Sequence, residues 1–169
     1  MRHLSKRAMW IVAVVLIAAL TVTVFAEANK PPSQASIDFA VRATDLLQAT
    51  LFAALLQEFA ETTPANVQEG IQSIGLVFND HNKNMRLVGK FGPISENDYP
   101  QDSFEEAALS SALAGQGSTT VERVNGDWFY RRSVPLSNFH PACGLCHSNF
   151  GPVNASQWVG ALMLKVPVK

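Results

Sequence analysis

The sequence predicts an α+β domain in which an antiparallel sheet packs against helices. Two helical patterns come first. One is an amphipathic stretch from Ile37 to Ala60 without Gly or Pro, and the other is a segment that starts at Thr63-Pro64, a helix cap followed by proline. Strand patterns follow, and Asn125-Gly126 joins two of them as a tight turn. Helices followed by hairpin-linked strands are typical of α+β folds.

The first 26 residues are expected to form an export signal. Arg2, Lys6 and Arg7 make a basic start, residues 8–25 are uncharged, and Val24-Phe25-Ala26 provides the small residues that a signal peptidase recognises. The alternative is an uncleaved anchor, because residues 8–26 nearly reach the roughly 20 apolar residues that span a bilayer. In both cases the rest of the chain lies outside the cytoplasm, either free in the periplasm or tethered to the inner membrane through residues 8–26.

The charge of the exported part argues against nucleic acid as a partner. Beyond Ala26 the chain has 10 Lys plus Arg and all 14 Asp plus Glu, a formal charge of −4. The basic residues form no cluster, whereas nucleic-acid binding needs a basic patch.

Residues 27–36, with Pro31-Pro32, are expected to be a polar spacer, and residues 37–169 a single domain. In the second helix, Gly70 and Gly75 have low helix propensity, so the sequence does not define the residue at which this helix ends. Four apolar side chains of this helix are expected to be buried: Val67, Ile71, Ile74 and Leu76.

Shorter elements follow the two helices. After the turn at residues 79–84, Met85, Leu87, Gly89 and Phe91 alternate as a strand that Gly92-Pro93 ends. Ser103 and Glu106 predict a capping box for a helix over residues 104–113, which Gly115 terminates. Further strands are predicted at residues 119–124, 127–134 and 158–166, and the loop Pro135 to Pro152 is expected to have no structure of its own.

This loop holds the most specific motif, Cys143-Gly144-Leu145-Cys146-His147, which uses both cysteines of the chain. Two thiols separated by two residues can add to the two vinyl groups of a haem, and a histidine directly after them can reach the iron. The motif predicts one covalent haem c, held by Cys143 and Cys146, with His147 as the proximal iron ligand.

Other chemistries of a cysteine pair fit less well. An ordinary disulfide is possible in an oxidising compartment. A thioredoxin-like site needs its first cysteine at the start of a helix in a βαβ unit, whereas this motif leads into Ser148 and Gly151-Pro152. Zinc needs four ligands, and the chain has neither a second cysteine pair nor a His-x-x-x-His motif.

The run Asp127-Trp128-Phe129-Tyr130-Arg131-Arg132-Ser133-Val134-Pro135, followed by the Cys-x-x-Cys-His motif, resembles the end of the PAS-like monohaem c-type domains. These occur as stand-alone bacterial and cyanobacterial proteins and as periplasmic sensor modules of chemotaxis receptors and histidine kinases. Weaker landmarks match over most of residues 46–168: Val88-Gly89-Lys90, Asn97, Pro100, Asp102, Phe104-Glu105, Gly160-Ala161 and Pro167.

The resemblance implies a PAS-like sheet flanked by helices, with the haem between the sheet and the helical part. It also implies that Tyr130 and Arg132 lie near the haem propionates, on the strand face that also carries Trp128 and Val134. Arg131 points the other way and is expected to be a solvated edge charge.

The sequence does not single out one distal ligand for the haem iron. Some family members supply a distal cysteine from the second helix, but this chain has Val67-Gln68-Glu69-Gly70-Ile71 there and no third cysteine. His81, Met85 or an open, water-filled position are the alternatives. His140 is expected at the haem edge or in solvent, and Met163 at a peripheral place.

The expected function is one-electron transfer with a redox partner in the periplasm. The alternative is a haem-based redox or gas sensor that signals through a separate protein, since the chain has no recognisable output segment. A haem enzyme such as a peroxidase is expected least, because no distal His or Arg pair is recognisable.

Overall fold

The fold is a four-stranded antiparallel sheet with helices on both faces, as a computed structural model shows. The structure describes residues 30–61, 63–81, 83–90 and 96–169, with the backbone alone at positions 74, 96 and 146. The predicted leader at residues 1–26, and Phe91 and Gly92-Pro93 at the predicted strand end, lie outside these ranges. The α+β class and the antiparallel sheet are confirmed.

Five helical and strand elements precede the hairpin, and both long helices start at side-chain caps. Ser33 Oγ accepts from the Ser36 N–H at 3.2 Å, and Thr63 Oγ1 accepts from the Asn66 N–H at 3.3 Å. The elements are α1 (Gln34–Glu58), α2 (Pro64–Asp80), β1 (Met85–Gly89), a 3₁₀ turn (Glu96–Asp98) and α3 (Ser103–Ala112).

The hairpin and the motif region complete the chain: β2 (Ser118–Val124), β3 (Asp127–Asn138), α4 (Pro141–Cys146), a 3₁₀ turn (Ser148–Phe150) and β4 (Asn154–Pro167). Asn125 and Gly126 have φ values of 54° and 97°, as the predicted two-residue turn requires.

The strand order is β1-β4-β3-β2, and every pair is antiparallel. In the central strand β4, alternate residues face opposite sides. Ala161 and Met163 lie under α3, while Leu162 and Leu164 face α1 and α2. Because helices cover both faces, all four side chains are buried. Met163 was therefore predicted correctly to face away from Leu162, but its predicted peripheral place is wrong.

Helix α1 is long and apolar enough to cross a membrane, and it is the one such helix in the described part of the chain. It has 25 residues and a mean hydropathy of 1.4 over its most apolar window. This is a weak indication, because core helices share both properties. In this fold one face of α1 packs against the sheet, and Ala40 on that face is buried beside Tyr130 and Val168.

Helix α2 continues through both glycines to Asp80, and close packing explains the glycine at position 70. A Cβ at Gly70 would lie 2.9 Å from the Phe59 ring, so Gly70 lets the end of α1 approach α2. Gly75 faces open space. Val67 is buried as predicted, but the predicted burial of Leu76 is wrong, because 64% of its surface is exposed.

Helix α3 is capped by Asp102 and not by Ser103. The Asp102 carboxylate accepts from the Glu105 N–H at 3.0 Å, and Ser103 is the first helical residue. The N-cap of this helix therefore lies one residue before the predicted one. Both side chains are good caps, and Asp102 also forms an ion pair with Arg131.

A partly buried ion network joins α3 to the sheet, so the expectation that Arg131 is a solvated edge charge is wrong. This side chain is buried, 2.8 Å from Asp102 and 2.6 Å from Glu122, and its guanidinium lies over the Phe104 ring. Burial raises the pKa of Asp102, but the Arg131 hydrogen bond and charge outweigh burial, so this pKa lies below its usual value. Burial lowers the pKa of Arg131, but its two carboxylate partners raise it above the ordinary value.

Candidate functional site

The loop between β3 and β4 has a defined structure, so the prediction of a loop without structure is wrong. Strand β3 extends to Asn138, and the two cysteines lie in the six-residue helix α4. His140 caps this helix, with Nδ1 accepting from the Ala142 N–H at 3.3 Å, and Pro141 occupies its first turn. A helix this short has no periodicity to reveal it in the sequence.

The backbone of α4 sets the arrangement of the motif. Cys143 and Cys146 are three positions apart on a helix, so their Cα atoms lie on the same side of it. His147 follows as the C-cap, and its N–H donates to the Cys143 carbonyl oxygen at 2.9 Å. Cys143 is the third residue of α4, is half-buried and has a free thiol. The helix is not the crossover of a βαβ unit, since β3 and β4 are antiparallel.

A predominantly apolar cavity of about 480 Å³ lies beside α4, within the range of about 300–1,000 Å³ typical of cofactor and ligand sites. Residues of α1, α2, β1, β3, α4 and β4 line it. Its aromatic lining comes from five phenylalanines: Phe52, Phe59, Phe78, Phe139 and Phe150.

The cavity brings together several of the residues predicted from the sequence. Cys143, His147, His140 and Met85 line it. The side chain of Cys146 lies outside the described atoms. Met85 is buried and also contacts the core of the sheet face under α1. The motif and one of the two distal candidates thus share a single cavity.

The other distal candidate, His81, lies elsewhere. It is the exposed C-cap of α2 and does not line the cavity. Met163 is on the opposite face of the sheet, under α3.

Tyr130 and Arg132 share a face of β3 with Val134, as predicted, but neither lines the cavity. Tyr130 is buried against Ala40 of α1 and Val168. Arg132 forms an ion pair with Asp45 of α1. Their placement near haem propionates therefore stays a prediction.

His147 is held by an aromatic neighbour that the sequence analysis missed. The Phe150 ring stacks on the imidazole, with 4.5 Å between ring centroids and 10° between planes. The Phe150 N–H donates to the His147 carbonyl oxygen at 2.9 Å, which closes a 3₁₀ turn between the two residues. The spacing of three residues was the available signal, because it brings both side chains to one side of such a turn.

Arg86 of β1 borders the cavity, but its side chain lies on the sheet face that α3 covers, because Arg86 is paired with Met163. Its Nη1 donates to Glu105 at 2.6 Å, and its Nη2 donates to the carbonyl oxygens of Asn97 and Tyr99. Both side chains of the Arg86–Glu105 pair are about nine-tenths buried, with 10% and 7% of their surfaces exposed. The guanidinium charge is therefore balanced on the α3 side of β1.

The described residues fit a covalently attached haem. A porphyrin needs a flat apolar space, and the cavity has an apolar lining rich in aromatic rings, with a motif thiol and the motif imidazole in its wall. Gly75 adds free space, because a Cβ there would meet no atom within 4 Å. In the described ranges no group of three or more His, Cys, Asp or Glu side chains could hold a metal ion directly.

No protein-family model matches the chain, and no curated protein is significantly similar to it.

Proposed function

We propose that this chain is an exported monohaem c-type cytochrome with a PAS-like domain, in which Cys143 and Cys146 hold the haem covalently and His147 binds its iron. The observation that carries the proposal is that Cys143 and His147 line one apolar cavity of cofactor size. A bound haem would supply an iron that changes oxidation state by one electron. The protein would supply the covalent tether, the proximal imidazole and a dry surrounding.

The function best supported is one-electron transfer to a partner protein outside the cytoplasm. Electron transfer requires an iron whose coordination stays the same in both oxidation states. Met85 is the distal candidate whose side chain lines the cavity, and its thioether would hold the iron in six-fold coordination. The redox potential would then depend on this thioether and on the apolar wall around the haem.

A second function, sensing of a small gas or of redox state, is supported by Gly75. This residue lies in the cavity wall and leaves open space in the middle of α2. An open distal position would accept a diatomic ligand, and a separate partner would detect the resulting change. The fold itself does not distinguish the two functions. A haem enzyme remains the least supported class, since Arg86 is already engaged by Glu105.

The experiment that tests the proposal is absorption spectroscopy of protein produced together with a haem-attachment system. Covalent haem is measured by the alkaline pyridine spectrum after denaturation and extraction. Ferrous spectra with and without carbon monoxide then separate the two functions. A low-spin spectrum that carbon monoxide leaves unchanged supports electron transfer, and a high-spin ferrous form that binds carbon monoxide supports sensing. Absence of covalent haem would reject the proposal.

A further inference from the structure

The side chain of Asn138 is fully buried at the end of β3 and is surrounded by acceptors. Its Nδ2 lies 2.9 Å from the Pro152 carbonyl oxygen, 3.3 Å from that of Phe150 and 3.2 Å from Gln157 Oε1. The Gly151 carbonyl oxygen is 3.5 Å away. Because all these groups accept hydrogen bonds, the amide nitrogen must face them, and the orientation of the side chain follows.

This arrangement is unfavourable for a residue that only fills space. Asn138 Oδ1 is buried and has no hydrogen-bond partner among the described residues. A buried polar atom without a partner destabilises a fold, whereas an apolar side chain of similar size would not. The amide is therefore best explained by what its nitrogen holds.

The amide nitrogen of Asn138 holds the segment directly after the Cys-x-x-Cys-His motif. The carbonyls of Phe150 and Pro152 belong to the turn that follows His147, and the Phe150 ring stacks on the imidazole. Asn138 itself lies where the pairing of β3 with β4 changes register, so the sheet offers this turn no regular ladder. The amide thus links the sheet to the backbone of Phe150, and the Phe150 ring in turn contacts the His147 imidazole.

We propose that Asn138 is a positioning residue that sets the orientation of the His147 imidazole through the backbone and ring of Phe150. The inference rests on the proposed function in one respect, because orientation matters only when the imidazole binds iron. Groups that orient a metal ligand tune the metal even though they do not touch it.

The test uses Asn138→Asp, which keeps the size of the side chain but places a carboxylate against the carbonyl oxygens. Asn154→Asp is the matched control, because Asn154 is exposed at the start of β4. Hydrogen exchange of the purified full-length protein is measured first. Amides of residues 148–151 should exchange about tenfold faster in Asn138→Asp, a factor that corresponds to roughly 1.4 kcal/mol. The control should match the wild type.

Electron paramagnetic resonance of the ferric holoprotein is measured second, since its g values report the orientation of an axial imidazole. The proposal expects changed g values in Asn138→Asp and unchanged values in Asn154→Asp. Faster exchange with unchanged g values would reduce Asn138 to a structural role and overturn the proposal, as would wild-type behaviour in both measurements. If Asn138→Asp does not fold, Asn138→Ser is measured by the same criteria. If wild-type protein carries no covalent haem, the proposed function fails, and the exchange result still shows whether the amide holds the turn.

Discussion

The Phe150 ring lies parallel to the His147 imidazole, with their centroids 4.5 Å apart. Such a contact contributes about 0.5–1.5 kcal/mol beyond the apolar area it buries. It restrains the residue on which iron binding would depend, at the junction between α4 and the following 3₁₀ turn.

We therefore expect Phe150→Leu to loosen the motif while leaving the fold intact. The free energy of unfolding should fall by about 1–2 kcal/mol, because ring stacking and some packing are lost. Urea denaturation of the haem-free protein measures this. Phe39→Leu is the control, since 65% of the Phe39 surface is exposed on α1. Equal losses in both variants would contradict a specific contact with His147.

Replacement of Glu105 should destabilise the protein strongly. Its carboxylate is paired with Arg86 at 2.6 Å and is near Arg131, so Glu105→Ala leaves buried guanidinium charge uncompensated. Breaking such a buried pair costs about 3–5 kcal/mol. Glu106→Ala removes an exposed carboxylate from the same helical turn and should stay within about 0.5 kcal/mol of the wild type. Similar losses in the two variants would show that the network does not stabilise the domain.

Asp102 should make stability depend on pH in the acid range. Its pKa is lower in the folded state, so its stabilisation is complete above the unfolded value of about 3.9 and is lost as the pH falls through the folded pKa. Asp102→Asn keeps a good helix cap but loses the charge next to Arg131. Because 43% of the Asp102 side chain is exposed, we expect a loss of only about 0.5–1 kcal/mol at pH 7.

Urea denaturation between pH 2 and pH 7 checks this expectation, with Asp127→Asn as the control for an exposed carboxylate. The difference between wild type and Asp102→Asn should shrink as the pH falls through the acid range. A constant difference over the whole range would mean that the carboxylate charge is not the cause.

Gly75 and Gly160, two of the three glycines in the cavity wall, should respond oppositely to alanine. A Cβ at Gly160 would lie 2.6 Å from the Val88 carbonyl oxygen, so Gly160→Ala should separate β4 from β1 and cost about 1–3 kcal/mol. At Gly75 a Cβ meets no atom within 4 Å, so Gly75→Ala should stabilise α2 by about 0.5–1 kcal/mol. Thermal unfolding of haem-free protein measures both. Stabilisation by Gly160→Ala, or destabilisation by Gly75→Ala, would contradict the geometry of the wall.

Local signals in the sequence predicted much of this fold, and features that depend on tertiary contacts were missed. The Thr63-Pro64 helix start and the Asn125-Gly126 turn are encoded by adjacent residues, and both are confirmed. Arg131 was expected in solvent because the sequence does not show that α3 covers its face of the sheet.

In the candidate site, too, features encoded by adjacent residues were predicted and features that depend on tertiary contacts were missed. The motif residues were apparent from their spacing. Asn138 matters through the acceptors around its amide and Gly75 through the open space beside it, and no local pattern reveals either feature. The distal alternatives also needed the fold, since only the structure shows that Met85 lines the cavity and His81 does not.

Met85→Leu tests the distal ligand with a nearly volume-conserving change. If the Met85 thioether binds the iron, this variant should lose the low-spin ferrous spectrum and bind carbon monoxide, while His81→Ala should keep the wild-type spectrum. A wild-type spectrum in Met85→Leu would reject Met85 as the ligand and favour an open distal position.

The most direct measurement is the mass of the denatured protein after production with a haem-attachment system, together with its alkaline pyridine spectrum. We predict a mass increase of one haem that resists extraction, and its loss in the Cys143→Ala/Cys146→Ala variant. His147→Ala should retain the covalent haem but lose the native absorption spectrum. A wild-type protein that folds with the mass of the polypeptide alone would contradict the account.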